Sequence, residues 1–265
     1  MQNNVRYATA IKASPGSSET PVESRPTVTE PFSAGRAVPR LLFDFGVMAS
    51  LMVPTLLDLP VLDFGSGIGW VSEFCVRMGM QTVAFDIHGD LKACLDNRVS
   101  VDRRVDGRKM SFAHGDGHAM PFEANVFGHL LCYDTLHHMV DYPKVFSEFH
   151  RVLRPGGRAV FVEPGARHSS SPETVAFVKA QKLHDPTWIE RDIVLDEIDQ
   201  ISRIAGFKSG VQVVPMPHPM ALTTYTNEMW SKFRSGDAHQ RLILTNQLAQ
   251  INYWERVVFY VDKLP

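Results

Sequence analysis

The stretch Val61-Leu62-Asp63-Phe64-Gly65-Ser66-Gly67-Ile68-Gly69-Trp70 constrains this chain more than any other. A short apolar run closes on an acid, alternate glycines follow, and a helical pattern begins. It reads as strand, tight turn and helix start. Gly65, Gly67 and Gly69 permit positive φ and close approach of a ligand, while the first N–H groups of the following helix point into the same crevice. Open α/β sheets bind their ligands in such a crevice. The spacing is G-x-G-x-G, whereas the nicotinamide fingerprint is G-x-G-x-x-G with the pyrophosphate on the helix N-terminus. The difference favours a ligand without a pyrophosphate.

The 265 residues, 44% hydrophobic and 21% charged, suffice for one large domain, and the formal net charge of −2 leaves no broad electrostatic footprint for nucleic acid. Cys75, Cys94 and Cys132 form no C-x-x-C pair. They suit core positions in a reducing compartment, so a cytoplasmic location is expected. Leu41 to Leu59 is the most apolar segment, but Asp44, Gly46, Pro54 and Asp58 interrupt it. It reads as an amphipathic helix packed on a sheet, not as a membrane span. Residues 1–39 carry five prolines among Ser, Thr and Glu and read as a flexible leader or linker, with 40–265 as the catalytic domain. A leader of this kind also fits a piece of a longer polypeptide.

Downstream, strands and helices alternate. Ile68, Val71, Phe74, Cys75 and Met78 fall at helical spacing, and Gln81 to Asp86 is a second strand ending in an acid 21 positions after Gly65. An acid at that strand tip, about 20 residues on, accepts hydrogen bonds from ribose hydroxyls in nucleotide-type folds. A helix from Asp90 to Val99 and a solvated, charge-alternating connection follow. Ser111 to Asp116 is a third strand with an acidic tip, Val126 to Tyr133 a fourth, and Asp141 to Leu153 a helix with Asp141 as N-cap. Arg154 to Gly157 is a turn before a fifth strand, Arg158 to Glu163. Helices at 173–184 and 192–205, a sixth strand at 206–214, a helix at 238–254 and a last strand at 257–261 complete the chain.

Asp63 to Gly69 resembles the D-x-G-x-G-x-G motif of class I S-adenosylmethionine-dependent methyltransferases. Gly115-Asp116 before Met120-Pro121-Phe122, and Arg151-Val152-Leu153-Arg154-Pro155-Gly156-Gly157, resemble later stretches of the same family in the same order. Gly128 departs from the pattern, since many members carry an aspartate there. The resemblance implies an α/β, Rossmann-like, seven-stranded, doubly wound and mostly parallel sheet with a C-terminal antiparallel strand and a helical insertion roofing the pocket. It implies S-adenosyl-L-methionine as cofactor. Contacts are expected from Asp63, Gly65, Ser66, Gly67 and Gly69, from Asp86 and Ile87 at the ribose, from Asp116, Gly117 and His118 at adenine, and from Tyr133.

A sulfonium methyl is already activated, so the protein has mainly to align donor and acceptor and to exclude water. Candidates for a general base sit on the loops after strands four and five: His137 or His138 first, then Glu163, then His168, with Asp134 nearby. His114 to His118 and the His137-His138 pair place imidazoles beside carboxylates, but neither ligand set is complete and no metal is expected. The 163–198 stretch resembles methyltransferase domains of bacterial surface-polysaccharide and glycosyltransfer enzymes. This points to O-methylation of a sugar or glycan, within a larger glycan-assembly polypeptide or complex. A quinone, lipid or natural-product acceptor is the alternative, and Tyr225, Trp230, Tyr253 and Trp254 suit a flat ring or a sugar face. A nicotinamide-dependent oxidoreductase and a non-catalytic scaffold that binds the cofactor are further alternatives.

Overall fold

The computed structural model describes residues 38–165, 167–183, 186, 188–214, 226–239, 241–243 and 256–265. Strands β1 (Val61–Phe64), β2 (Thr82–Asp86), β3 (Met110–His114), β4 (Phe127–Tyr133), β5 (Leu153–Pro164), β6 (Gln212–Val213) and β7 (Arg256–Asp262) form one sheet in the order β3-β2-β1-β4-β5-β7-β6. β1 pairs in parallel with β2 and β4, β2 with β3 and β4 with β5, while β7 runs antiparallel between β5 and β6. This is the seven-stranded, mostly parallel sheet with an antiparallel C-terminal strand that the sequence implied. The strand order reverses at β1, and the crevice beyond the carboxyl ends of β1 and β4 is where such sheets bind ligands.

Both faces of the sheet are covered. Ala159 and Phe161 of β5 point into one core with Phe146, Phe149 and Phe207, while Val160 and Val162 point into the other with Met48, Trp70 and Cys75. An apolar side chain at every step is what a strand buried on both faces requires. On the second face, helix α1 (Val38–Ser50) buries Leu41, Phe45 and Met48, and α2 (Trp70–Arg77) packs beside it. Helices α3 (Lys92–Val101), α4 (Tyr142–Val152), α5 (Pro172–Gln181), α6 (Leu195–Ala205) and α7 (Asn227–Arg234) complete the described elements. Asp141 caps α4 by accepting a bond from Lys144 N, as expected, and Ser171 caps α5 through Thr174 N.

Several boundaries differ from the sequence reading. The helix expected over Leu41–Leu59 stops at Ser50, because Pro54 holds Val53 extended (φ −79°, ψ 114°) and opens a separate short 3-10 turn over Pro54–Leu56. That turn explains Gly128: a Cβ there would lie 2.9 Å from Leu56 O and 2.9 Å from Leu59 Cβ, so an aspartate would push the 54–59 segment off the sheet. β3 ends at His114, leaving Asp116 in the following turn. β6 is two residues long because Gly206 (φ 113°) and Gly210 (φ 66°) turn the chain twice after α6. Residues 1–37 of the leader and most of the roofing helix at 238–254 lie outside the described residues, as do Tyr225, Tyr253 and Trp254; Val38 and Pro39, assigned to the leader, open α1, and Trp230 is exposed on α7. Among the described residues no helix is long and apolar enough to cross a membrane.

Candidate active site

A cavity of about 330 Å3 opens beyond the carboxyl ends of β1, β2 and β4. The turn after β1 forms one wall. Gly65, Gly67 and Gly69 take φ values of 69°, 51° and 77°, and a Cβ on Gly65 would meet Thr135 Cγ2 at 2.1 Å. Gly65 N and Ser66 N both donate to Phe85 O, which fastens the turn to the end of β2. Gly65 and Gly67 line the cavity, and a Cβ on Gly67 would meet nothing within 4 Å. From the far side, the fully buried Arg98 of α3 donates to Ile68 O and pairs with Glu73 at 2.6 Å, bracing the turn.

Asp86 stands at the tip of β2 with one carboxylate oxygen accepting from Gly67 N and the other from His88 N, each at 2.9 Å. It lines the cavity with Ile87 and Leu91, and burial raises its pKa against the pull of those backbone bonds. Asp63 is placed otherwise. Its carboxylate turns onto α2, accepting from Ser72 N at 2.9 Å and Ser72 Oγ at 2.5 Å, and it is not among the residues that line the cavity. Burial pushes its pKa up to about 7 even against the Ser72 bonds.

This placement of Asp63 predicts the behaviour of Asp63→Asn. The unfolded carboxyl ionises near 3.8 and the folded one near 7, so the buried group detracts progressively from stability as pH rises between those values. The variant is therefore expected to gain on the parent, in urea unfolding, as pH rises from 4 to 7. Its affinity for S-adenosylhomocysteine should stay within about twofold, since the side chain does not reach the ligand wall. A parallel pH dependence in parent and variant would refute the buried-acid reading.

Gly115 and Gly117 line the third side, while Asp116 accepts from His118 N at 2.9 Å and lies 2.7 Å from His118 Nδ1. Tyr133 points to the other face of β4, where its hydroxyl donates to Asp44 of α1 at 3.0 Å and meets Arg256 of β7. Arg256 also pairs with Asp134, which has φ 48° and lines the cavity. Burial alone would raise the Asp134 pKa, but Arg256 carries it below the usual carboxylate range. Asp134 is thus a poor proton acceptor.

Of the sequence-proposed bases, the structure brings His138 to the cavity and withdraws Glu163 and His137. Glu163 is fully buried behind the loop after β4, accepting from Thr135 N (3.1 Å), Leu136 N (2.9 Å) and the His137 ring (Nδ1 at 2.7 Å). His137 sits between Glu163 and Glu190. Burial would lower its pKa, yet the two carboxylates lift it to about 10, so it already holds its proton at neutral pH. His138 is pushed the other way, down to about 4, by burial and by the adjacent His137 charge. Its Nδ1 lies 3.2 Å from Ile189 O, a carbonyl that only accepts. That contact assigns the hydrogen to Nδ1 and leaves the Nε2 lone pair available. His168 bonds Glu190 through Nε2 at 2.8 Å.

Sequence reasoning missed Thr135, Trp188, Glu190 and Arg256. Glu190 belongs to a stretch singled out for its resemblance, but nothing in linear order announces that it returns to His137.

Comparison with known proteins fits this geometry. Residues 62–161 match the model of a family described as a methyltransferase domain. These residues form a class I S-adenosylmethionine-dependent methyltransferase domain. The chain is 33% identical over 103 residues to a sterol 24-C-methyltransferase of Schizosaccharomyces pombe, covering 37% of this chain and 25% of that protein. It is 33% identical over 91 residues to a demethylmenaquinone methyltransferase of Staphylococcus saprophyticus, covering 34% of this chain and 37% of that protein. The chain thus spans well under half the length of these two relatives. In fold it resembles phosphoethanolamine N-methyltransferase 2 of Haemonchus contortus, with a TM-score of 0.58 at 19% identity over 84% of this chain and 53% of that one.

The residues present fit the cofactor this domain takes. Asp86 offers a hydrogen-bond acceptor at the tip of β2, Ile87 and Leu91 offer apolar walls, and the glycine turn leaves room for close approach. Ser66 Oγ, buried beside that turn, has no hydrogen-bond partner among the described residues.

Proposed function

We propose that this chain transfers the methyl of S-adenosylmethionine to a small-molecule acceptor. The reading rests chiefly on one continuous cavity that runs from Asp86 past the glycine turn to His138, Met139 and Trp188. Bound S-adenosylmethionine would supply an electrophilic methyl. Asp86 would hold the ribose end, the Gly65–Gly67 backbone the middle, and the loop after β4 would bring the acceptor into line and keep water out.

For the acceptor, a quinone-type, lipid or natural-product molecule is better supported than a sugar. Met139 and Trp188 give the far end an apolar, aromatic lining. The two relatives described above are named for a sterol and a demethylmenaquinone. A histidine held near 4 is also a weak base, suited to an acidic hydroxyl such as a hydroquinone or phenol more than to the alcohol of a sugar. The glycan reading rests on the 163–198 stretch alone.

Incubating the protein with methyl-labelled S-adenosylmethionine and a panel of quinols, phenols, amino-alcohol phosphates and glycans tests this reading. Label is expected in a quinol or phenol, and label confined to glycans would restore the sugar assignment. Calorimetry with S-adenosylhomocysteine and with NADH separates the oxidoreductase alternative, because a preference for NADH removes methyl transfer. Tight S-adenosylhomocysteine binding with no transfer to any acceptor would mark a scaffold.

A further inference from the structure

Behind the His138 wall, three side chains from separate parts of the chain converge on a single point. His137 comes from the loop after β4, His168 from the loop after β5, and Glu190 from the segment between α5 and α6. Their nearest donor atoms lie within 4.8 Å of one another. We propose that His137, His168 and Glu190 form a binding site for one divalent first-row transition metal ion.

The geometry supports this in three ways. First, Glu190 Oε2 is 3.2 Å from His137 Nε2 and 2.8 Å from His168 Nε2. Ligands about 2.0–2.1 Å from a tetrahedral metal stand roughly 3.3 Å apart, so small adjustments of the side chains admit an ion. Second, each donor is fixed from behind by another group. His137 Nδ1 faces Glu163 Oε2 at 2.7 Å, which turns Nε2 toward the site. Glu190 Oε1 accepts from Trp188 Nε1 at 3.0 Å, which turns Oε2 toward it. His168 Nδ1 lies 3.4 Å from Thr174 Oγ1. A carboxylate behind a histidine ligand is the usual outer partner of a metal site. Third, the His137 and Glu190 side chains are only 5% and 4% exposed, whereas His168 at 25% leaves a way in.

Two imidazoles and one carboxylate select zinc, cobalt, nickel, iron or copper over magnesium and calcium, which prefer all-oxygen shells. Binding replaces the hydrogens now bridging the two rings to Glu190 Oε2: His137 releases its Nε2 proton to solvent and keeps the one on Nδ1 toward Glu163, while His168 binds through Nε2 with its remaining hydrogen on Nδ1, toward Thr174 Oγ1. Three protein ligands leave at least one coordination position for water or another small ligand. Glu190 and Trp188 line a second cavity, of about 520 Å3, so one proposed ligand borders that cavity, and Trp188, which donates to Glu190, borders the first as well. Sequence spacing gave no sign of such a site, because two of the ligands lie far from His137 along the chain.

The test uses the full chain, stripped with chelator and dialysed. Zinc titrated by calorimetry is expected to bind one ion per chain. His168→Ala and Glu190→Gln should each weaken binding at least tenfold while circular dichroism and the unfolding midpoint confirm a folded protein. X-ray absorption of the zinc-loaded parent should show two imidazole nitrogens and needs no substitution to be informative. Absence of saturable binding, affinity unchanged in both variants, or a shell without imidazole would each overturn the proposal. None of these readouts depends on methyl transfer, so the site and the proposed activity stand or fall separately.

Discussion

Glu163→Ala is expected to lower the free energy of unfolding by about 3–5 kcal/mol, the usual cost of removing one partner from a buried ionic pair. The side chain has no exposed surface, and its carboxylate receives three backbone N–H groups of the loop after β4, those of Thr135, Leu136 and His137, as well as the His137 ring. Alanine would leave those donors, one of them on a charged imidazole, buried and unanswered. Glu163→Gln keeps the volume and one acceptor oxygen, so its loss should be smaller. Urea unfolding, with the midpoint moving and the slope unchanged, is the appropriate measurement. A loss below about 1 kcal/mol for the alanine variant would contradict the role given to Glu163 here. If Glu163 instead served as a general base, transfer would collapse while stability held.

Asp86→Ala should weaken S-adenosylhomocysteine binding by roughly 10- to 150-fold, the equivalent of about 1.5–3 kcal/mol for a hydrogen bond to a charged group. The loss should appear with little change in stability below the cofactor's binding range, since Gly67 N and His88 N lie beside the open cavity, where water can replace the carboxylate. Asp86→Asn, which retains one acceptor oxygen, should fall between parent and alanine. Calorimetry decides the matter, and equal affinities for parent and Asp86→Ala would remove Asp86 from the site.

The sheet was legible in the sequence because its determinants are local. Apolar runs ending in acids, glycines at the first turn and helical spacing between them prescribe strand–helix alternation without knowledge of what packs where. The inward direction of side chains at the site was less legible. Asp63 and Asp86 both follow apolar runs, yet Asp63, one residue before the end of β1, turns onto Ser72 of its own following helix while Asp86, the last residue of β2, faces the cavity. An acid after an apolar run does not by itself separate these outcomes. The two adjacent histidines diverge for a similar reason. His137 and His138 share a loop, and only the arrival of Glu163 and Glu190 from later in the chain holds one charged and leaves the other neutral. Short-range spacing also fails at Gly128, whose meaning lies in the 54–59 segment folded against it.

The position of β7 carries a consequence for synthesis of the chain. Among the described residues, β6 finds its sheet partner only in β7, and β5 keeps an open edge until β7 inserts beside it. Arg256, the first residue of β7, then ties together Asp44, Tyr133 and Asp134, residues made long before it. A ribosome-bound chain that has not yet released residue 256 therefore holds the glycine turn and Asp86 but lacks the guanidinium that secures the opposite rim. Ligand-capture competence should appear abruptly with the final strand and not accumulate as each βα unit emerges.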